Sequence, residues 1–356
     1  MGKVLVPLGV FLGVRLLFAA AAQQAGFDPL DVGLWRRWDT GQYLSIATRG
    51  YDLVDCAHIG YAPQGVCGNA GWMPAYPALI AAAVRLGVRP LPAAVGISAG
   101  FELALLMLLW NGLFLRKSPL ALVACALAPG AIYFHAAFPI SMCAFFVALC
   151  LWLLLQERFV LAGLADALAA ASYSTGFLVA PVAAVWALSR SGDAPRQKVA
   201  NAAVAGGLAA AGLAAVLAYH QVKLGSWNAF FLVQEKYDHR IVSPLARIVA
   251  QAQRRDVLAT AGTETVVVAA LFAALAIFCV WRGLKGRHLL LFGCGALSWL
   301  FPLCLANVEL TRSEALAFPA LVLLDEAPLA ASVCACVALL LLAWPIAQLF
   351  YRGVLI

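Results

Sequence analysis

The sequence predicts an all-α integral membrane protein that forms a single domain over residues 1–356 and crosses the bilayer about nine to eleven times. Hydrophobic residues make up 64% of the chain and charged residues 12%, and the mean hydropathy is +0.91. This composition is typical of membrane proteins. Apolar segments of ~18–20 residues, the length needed to cross a bilayer, recur along the chain. The net charge of +7 comes from short loops, a pattern that orients membrane proteins and differs from a nucleic-acid-binding surface.

Three basic loops predict the orientation, because Lys and Arg are enriched in cytoplasmic loops. They are Arg116-Lys117, residues 190–198 and residues 282–288. All three loops are cytoplasmic if the first apolar segment is a retained helix that runs from the cytoplasm to the outer face. We expect helices at about 4–22, 93–115, 119–135, 139–155, 199–222, 264–281 and 289–306, with outer loops at about 23–92, 223–262 and 307–314 and one or two further helices at the end.

Two segments are too short for ordinary spans. Residues 159–188 hold less than two full spans, so we predict two short helices that meet near Ser172–Gly176, where irregular backbone is buried in protein or lines a cavity. Tyr76–Val88 has too few residues to cross at about 1.5 Å each, so we predict a membrane-parallel helix in the first outer loop. The alternative, in which it crosses, would place Arg116-Lys117 outside.

The first outer loop carries the candidate catalytic residue, Asp39. The stretch Leu34–Tyr51, LWRRWDTGQYLSIATRGY, resembles an interfacial belt in its Trp and Arg residues. A belt does not explain an acidic residue, and Asp39 could act as the general base for a hydroxyl nucleophile. The alternative is a structural ion pair with Arg36, Arg37 or Arg49. The same loop holds Cys56 and Cys67, which form the candidate disulfide if the loop faces an oxidising compartment.

Cations in the other two outer loops are candidates for binding a phosphate. Arg312 lies where an apolar helix is expected to begin, and both the helix N-terminus and the guanidinium suit a phosphate. The alternative is a surface ion pair with Glu309 or Glu314. The second outer loop alternates aromatic residues with Lys236, His239 and Arg240, as an interfacial helix over anionic headgroups does. A simple surface anchor is its alternative.

Several classes of protein lack support in the sequence. No pair of His, Cys or carboxylate residues has metal-ligand spacing within a span, so we predict no metal and no cofactor. The Walker, GxGxxG and GxSxG motifs are absent, which argues against nucleotide-driven pumping and serine hydrolysis.

Six segments, in order along the chain, resemble the GPI mannosyltransferase 2 family (the PIG-V-like branch) of GT-C glycosyltransferases. The family's RWDxxxYxxIAxxGY motif is matched at Arg37–Tyr51, and a late SRYxLxxFP segment at Thr311–Leu324. The other four matches are WMPAYPALI at Trp72–Ile80, FHAAFPIS at Phe134–Ser141, AGLADALAAASYSTG at Ala162–Gly176 and GSWNAFFLVQEKY at Gly225–Tyr237.

Three positions depart from the family pattern. An arginine of the fourth segment is absent, with Tyr173-Ser174-Thr175 in its region, an acidic residue is replaced after Ser141, and Ser313 stands where the family has tyrosine. These departures concern the substrate more than the fold.

The resemblance implies a GT-C-like bundle that transfers mannose, with inversion and without a nucleotide sugar. The donor would be a polyprenyl- or dolichyl-phosphate carrier and the acceptor a hydroxyl of a glycolipid or glycan on the non-cytoplasmic face. Asp39 would be the general base and Arg312 a donor phosphate ligand, assisted by Lys236, His239 and Arg240. Substrate-binding roles would fall on residues within the matched segments, namely Arg37, Trp38, Gln42, Tyr43, Tyr76 and His135.

The Ala- and Arg-rich composition favours a bacterial plasma membrane, with the site on its outer face; a eukaryotic chain would lie in the ER membrane. Two other functions stay open. One is a lipid or solute transporter, although such proteins keep functional charges at mid-membrane and often show internal repeats. The other is a catalytically silent membrane subunit of a transferase complex.

Overall fold

The computed structural model describes residues 2–59, 65–190, 194–237, 240–283, 286–305 and 310–354. About 77% of the chain is helical, and six helices are long and apolar enough to cross a membrane. These findings confirm the all-α class and are compatible with a multi-pass membrane protein. The crossing number of nine to eleven stays a prediction.

The first half of the chain forms nine helices and a small hairpin within the described residues. The helices are α1 (Gly2–Gln24), α2 (Thr40–Arg49), α3 (Ala75–Arg85), α4 (Pro90–Leu108), α5 (Pro119–Ala126), α6 (Ile132–His135), α7 (Ile140–Leu155), α8 (Phe159–Ser172) and α9 (Val179–Ser189). Strands β1 (Leu53–Asp55) and β2 (Val66–Gly68) pair antiparallel between α2 and α3.

The second half continues with four long helices and several short ones. They are α10 (Pro195–Leu224), α11 (Ala229–Gln234), α12 (Pro244–Ala252), α13 (Ala259–Trp281), α14 (Gly286–Cys304), α15 (Leu310–Glu314), α16 (Phe318–Leu321) and α17 (Leu329–Tyr351). Apart from the helix expected at 119–135, the expected long helices are therefore present, with ends displaced by a few residues. The 11-residue α3 corresponds to the short helix expected in the first outer loop.

The described residues of the three basic loops lie at one end of the bundle, which we call the basic end. The Asp325 carboxylate accepts hydrogen bonds from the backbone N–H groups of Leu115, Arg116 and Ser118 at 2.7–2.8 Å. Next to it, Glu326 pairs with Arg287. Gly286 lies against the Trp186 ring, whose indole N–H donates to the Leu154 carbonyl at 3.3 Å. The three loops therefore lie together, as the proposed orientation requires.

The chain is interrupted between the short helices α5 and α6 and between α8 and α9. Helices α8 and α9 are separated at Tyr173–Thr175, which confirms the expected break in residues 159–188. The single helix expected at 119–135 is wrong, since α5 ends at Ala126 and α6 begins at Ile132. Pro129 lacks an N–H to continue the helix, and Gly130 adopts a left-handed φ of +71°. Because the helix is interrupted here, the Gly130 N–H donates to Glu264 of α13.

The segment from α15 to Asp325 connects the two ends of the bundle. Arg312 contacts Asp39 at the end opposite the basic end, which we call the site end, whereas Asp325 lies at the basic end. Between them run α15, α16 and two 3-10 turns, Ala315–Ala317 and Val322–Asp325, in place of the one apolar helix expected after Arg312. Every residue from Ala315 to Leu324 is buried, and burial in protein is what irregular backbone requires inside a membrane.

Candidate functional site

The loop that carries Asp39 is fixed by hydrogen bonds to the segment between α6 and α7. The Thr40 hydroxyl accepts the Arg37 N–H at 3.2 Å and donates to the Ala137 carbonyl at 3.3 Å. The Ala137 N–H in turn donates to the Trp35 carbonyl at 3.2 Å. Asp39 precedes α2, but its carboxylate makes no cap bond to that helix. The carboxylate is therefore available for a partner outside its own loop.

That partner is Arg312, which lies 273 residues further along the chain. An Nη of Arg312 donates to an Oδ of Asp39, and the two side chains are 12% and 24% exposed. The guanidinium also lies over the Phe138 ring, 5.7 Å from its centre. A part-exposed carboxylate and a guanidinium thus meet at the site end. Of the alternatives for Asp39, the ion pair is present, but with Arg312 and not with an arginine of its own loop.

The position of Arg312 depends on two buried glutamates: Glu264, which the sequence reasoning missed, and Glu314, which it named as an alternative partner of Arg312. The Gly130 N–H donates to Glu264 at 3.2 Å, and the Trp299 indole donates to Glu314 at 3.2 Å. Gly130 itself lies against the Thr311 carbonyl, so close that an added Cβ would be 1.9 Å from that oxygen. Helix α15 is therefore held from both sides. A signal for Glu264 existed, because a carboxylate within an apolar span indicates function by default.

Lys236 of the second outer loop lies within electrostatic reach of Asp39. Burial lowers the pKa of Lys236, and the negative charge of Asp39 opposes that shift. The ammonium lies 5.1 Å from the centre of the Tyr237 ring and 6.0 Å from that of Trp72. The Gln234 amide donates to the Gly71 carbonyl at 3.2 Å, which connects the second outer loop to the first. Two cations from different loops therefore lie near Asp39.

The remaining predicted phosphate ligands are less well placed by the structure. His239 lies outside the described residues. Arg240 is exposed in the segment before α12, so its predicted role rests on the sequence alone.

Several predicted substrate-binding residues are structural in their contacts. Arg37 donates to the Phe350 and Tyr351 carbonyls at 3.1 and 2.7 Å, at the C-terminal end of α17, where a cation is favourable. Trp38 packs edge-on against Phe350 at 5.4 Å. The Tyr76 hydroxyl is buried and bonds to Ala94 and Ser98 at 2.8 Å. These contacts shape the loop around Asp39 and leave Tyr76 without access to a ligand.

Tyr43 and Gln42 lie next to Asp39 on α2. Tyr43 is buried against Tyr76, with ring centres 5.6 Å apart. Burial raises the pKa of the Tyr43 phenol well above its ordinary value, and the Asp39 charge adds to the shift. Gln42 is half-buried. The Tyr43 phenol is therefore an uncharged, buried neighbour of Asp39, whereas the Gln42 side chain is partly accessible.

The prediction that His135 binds substrate conflicts with its surroundings. Its ring is fully buried, with Nε2 3.1 Å from a Glu102 oxygen, and Glu102 also pairs with Arg15 at 3.0 Å. The ring packs against Phe18 at 4.8 Å and Trp35 at 6.0 Å. His135 therefore connects α1, α4 and the loop before Asp39, and it supports the site from within the protein.

The disulfide expected in the first outer loop is present between Cys56 and Cys67, with Cα atoms 5.0 Å apart. It closes the β1–β2 hairpin, where Val54 pairs with Cys67. Within the described ranges, no group of three His, Cys, Asp or Glu side chains could hold a metal ion.

In comparisons with known proteins, no family model and no curated protein matches this chain. The functional argument therefore rests on the residues themselves: a carboxylate able to accept a proton, beside two cations able to hold an anionic leaving group.

Proposed function

We propose that the protein is a membrane glycosyltransferase of the GT-C type that transfers mannose from a polyprenyl- or dolichyl-phosphate carrier to a hydroxyl of a glycolipid or glycan. The observation that carries the proposal is the contact between Asp39 and Arg312 at the site end, beside Lys236. An acid and two cations from three distant loops suit a reaction in which one group loses a proton while another gains negative charge on phosphate. Neither step needs a nucleotide or a metal ligand set.

In the proposed reaction, Asp39 takes the proton of the acceptor hydroxyl. At the same time, the oxygen of that hydroxyl forms a bond to the anomeric carbon of mannose. The bond between that carbon and the phosphate oxygen breaks on the opposite face, and the electron pair leaves with the lipid phosphate. Arg312 and Lys236 stabilise the departing phosphate, since a guanidinium holds two of its oxygens at once. Attack from the opposite face inverts the anomeric centre.

The Asp39–Arg312 pair suggests how the donor engages the site. Binding of the phosphate to Arg312 replaces the carboxylate as its partner, which releases Asp39 for the acceptor. The phosphate replaces one anionic partner of the guanidinium by another, so the largely buried Arg312 is not left without a counter-charge during the exchange. Donor binding therefore frees the Asp39 carboxylate to act as the general base.

We place the site end on the non-cytoplasmic face because the three basic loops lie together at the opposite end. This orientation fits an outer-face reaction in a bacterial plasma membrane, or a lumenal one in the ER. The Cys56–Cys67 disulfide belongs to the site end, and an oxidising compartment agrees with the same orientation.

The test is transfer of radiolabelled mannose from purified polyprenyl-phosphate mannose, in detergent, to a lipid extract. Wild type is expected to produce a labelled lipid, and Asp39→Asn to lower kcat by ~10²-fold or more, because general-base catalysis contributes about 10²–10⁴. Asp28→Asn is the matched control: Asp28 is an exposed acid of the same loop, and among the described residues its carboxylate accepts only the nearby Leu30 N–H. Near-wild-type turnover in Asp39→Asn would remove Asp39 as the base.

A transporter is the second candidate, favoured by carboxylates buried within spans. Glu102 and Glu264 are 1% and 2% exposed, and intramembrane charges often form transport pathways. Uptake of labelled lipid phosphate into proteoliposomes, without transfer of the sugar, would support this candidate over the transferase.

A further inference from the structure

Two glutamates meet in the interior of the bundle, close to the residue that pairs with Asp39. Glu264 of α13 is 2% exposed and Glu314 of α15 is 1% exposed, and the two carboxyls lie within electrostatic reach of each other. One oxygen of each, Oε1, accepts an N–H at 3.2 Å, from Gly130 and from the Trp299 indole respectively. The other oxygen of each, Oε2, is buried without a hydrogen-bond partner among the described residues. Two acceptor oxygens are therefore unsatisfied where solvent does not reach them.

Among the described residues, no cation pairs with either glutamate. The side chains next to them are neutral: the Thr311 hydroxyl beside Glu264, and the Thr265 hydroxyl beside Glu314. Thr311 is 1% exposed, and within the described ranges its hydroxyl also lacks a partner of good geometry. A buried carboxylate without a counter-charge is so costly that the group holds a proton instead. Two such carboxyls in one place also oppose each other's ionisation.

The charges at the site end lead to the same conclusion. Arg312 directs its guanidinium to Asp39, and Lys236 lies within reach of the same carboxylate. If both buried glutamates were ionised, these five groups would carry one more negative charge than positive charge before an anionic donor arrives. A lipid phosphate would then be repelled by the very region that is to hold it. With a proton on the glutamate pair, the region is neutral and the two cations are available to the phosphate.

We propose that Glu264 and Glu314 share a proton at neutral pH and act as positioning residues for Arg312. The proton belongs to the pair and not to either residue alone. It reduces the repulsion between the two carboxyls, so that both can hold their N–H donors and keep α15 in place, and it keeps the surroundings of Arg312 from becoming negative. The inference rests on the proposed function for the phosphate only, because the shared proton is independent of catalysis.

The proton is tested by replacing both glutamates with glutamine, which keeps an acceptor oxygen for the N–H donor and carries no charge. Infrared spectra of wild type at neutral pH should show a band of protonated carboxyl that is reduced in the double variant Glu264→Gln with Glu314→Gln. In detergent melts from about pH 5 to about pH 9, wild type should lose thermal stability relative to the double variant as the pH rises. The reason is that the folded pair keeps a proton that the unfolded chain releases.

Glu102→Gln is the matched control, since Glu102 is 1% exposed but pairs with Arg15 at 3.0 Å. Removal of that charge should lower the melting temperature throughout the same pH range. If Glu264→Gln and Glu314→Gln, made singly, lower it in the same way or fail to fold, the pair is ionised and the proposal is overturned. A melting temperature of wild type that requires added sodium, magnesium or calcium at constant ionic strength would show a bound cation in place of the proton, which overturns the proposal as well.

The effect on Arg312 is tested by the donor KM over the same pH range. Wild type should lose donor affinity several-fold as the pair releases its proton, whereas the double glutamine variant should not. Glu314→Ala, which removes the acceptor of the Trp299 N–H, should raise the donor KM at every pH, and Glu314→Gln should restore it. Parallel pH profiles in wild type and the double variant overturn the positioning role. Absence of mannose transfer in wild type, with the infrared and melting results as expected, refutes the proposed function and supports the shared proton.

Discussion

Replacement of Arg312 by lysine separates a phosphate ligand from a surface ion pair. Lysine keeps the charge and can still pair with Asp39, so we expect little change in thermal stability. It cannot hold two phosphate oxygens in one plane. Loss of one charge-assisted hydrogen bond, about 1.5–3 kcal/mol, raises the donor KM roughly 10- to 150-fold. Because the acceptor does not contact this group in the proposed reaction, the acceptor KM should stay within about twofold.

The assay is initial-rate transfer from polyprenyl-phosphate mannose with each substrate varied in turn. Arg254→Lys is the matched control, since Arg254 pairs with Asp256 at 2.7 Å in the same outer region with side chains 25% and 55% exposed. An exposed pair of this kind contributes ~1 kcal/mol or less, so its loss should leave both KM values unchanged. If Arg312→Lys and Arg312→Ala both leave the donor KM at the wild-type value, the phosphate binds elsewhere and the placement of the donor is wrong.

Three further predictions concern the supports of the site. Gly130→Ala should destabilise the protein by about 2–4 kcal/mol in detergent melts, through strain at positive φ and a steric clash, whereas Gly207→Ala, with nothing within 4 Å, should not. Alkylation without reductant should leave Cys56–Cys67 unlabelled in intact-mass spectra, and reduction should cost ~3 kcal/mol on the chain-entropy estimate. Glu102→Ala should cost about 3 kcal/mol, because it removes a buried carboxylate that pairs with Arg15 and lies 3.1 Å from His135 Nε2. The exposed Glu157→Ala should cost ~1 kcal/mol or less; equal losses would contradict the structural role of Glu102.

The long helices could be predicted because an apolar segment and its charged ends are local properties of the sequence. Helix α1 was expected at about 4–22 and spans Gly2–Gln24, and the break after Ser172 followed from segment length and parity alone. The break between α5 and α6 was missed, although Pro129-Gly130 contains both a residue without an N–H and one suited to left-handed backbone. The sequence is apolar on both sides of Pro129-Gly130, so the hydropathy pattern predicts one continuous helix despite the turn residues.

The candidate site was only partly predictable for a different reason. Asp39 and Arg312 were singled out by charge in an apolar context, but their contact joins residues 273 positions apart, and local patterns do not determine contacts of that range. His135 was assigned to the substrate because it lies in a matched segment. Its burial beside Glu102 depends on the packing of α1 against α4, which the segment itself does not specify.

The supports of Arg312 explain why an irregular segment occupies the centre of this bundle. The Thr311 carbonyl, next to Arg312, lies against Gly130, and the Gly130 N–H donates to Glu264 because α5 ends before it at Ala126. The break at Gly130 therefore contacts α15 at the residue next to Arg312, whose guanidinium pairs with Asp39. Helical breaks inside a membrane require buried partners, and here those partners are the same contacts that orient the candidate phosphate ligand. The contacts that satisfy the backbone at the helix breaks are therefore the same contacts that position Arg312.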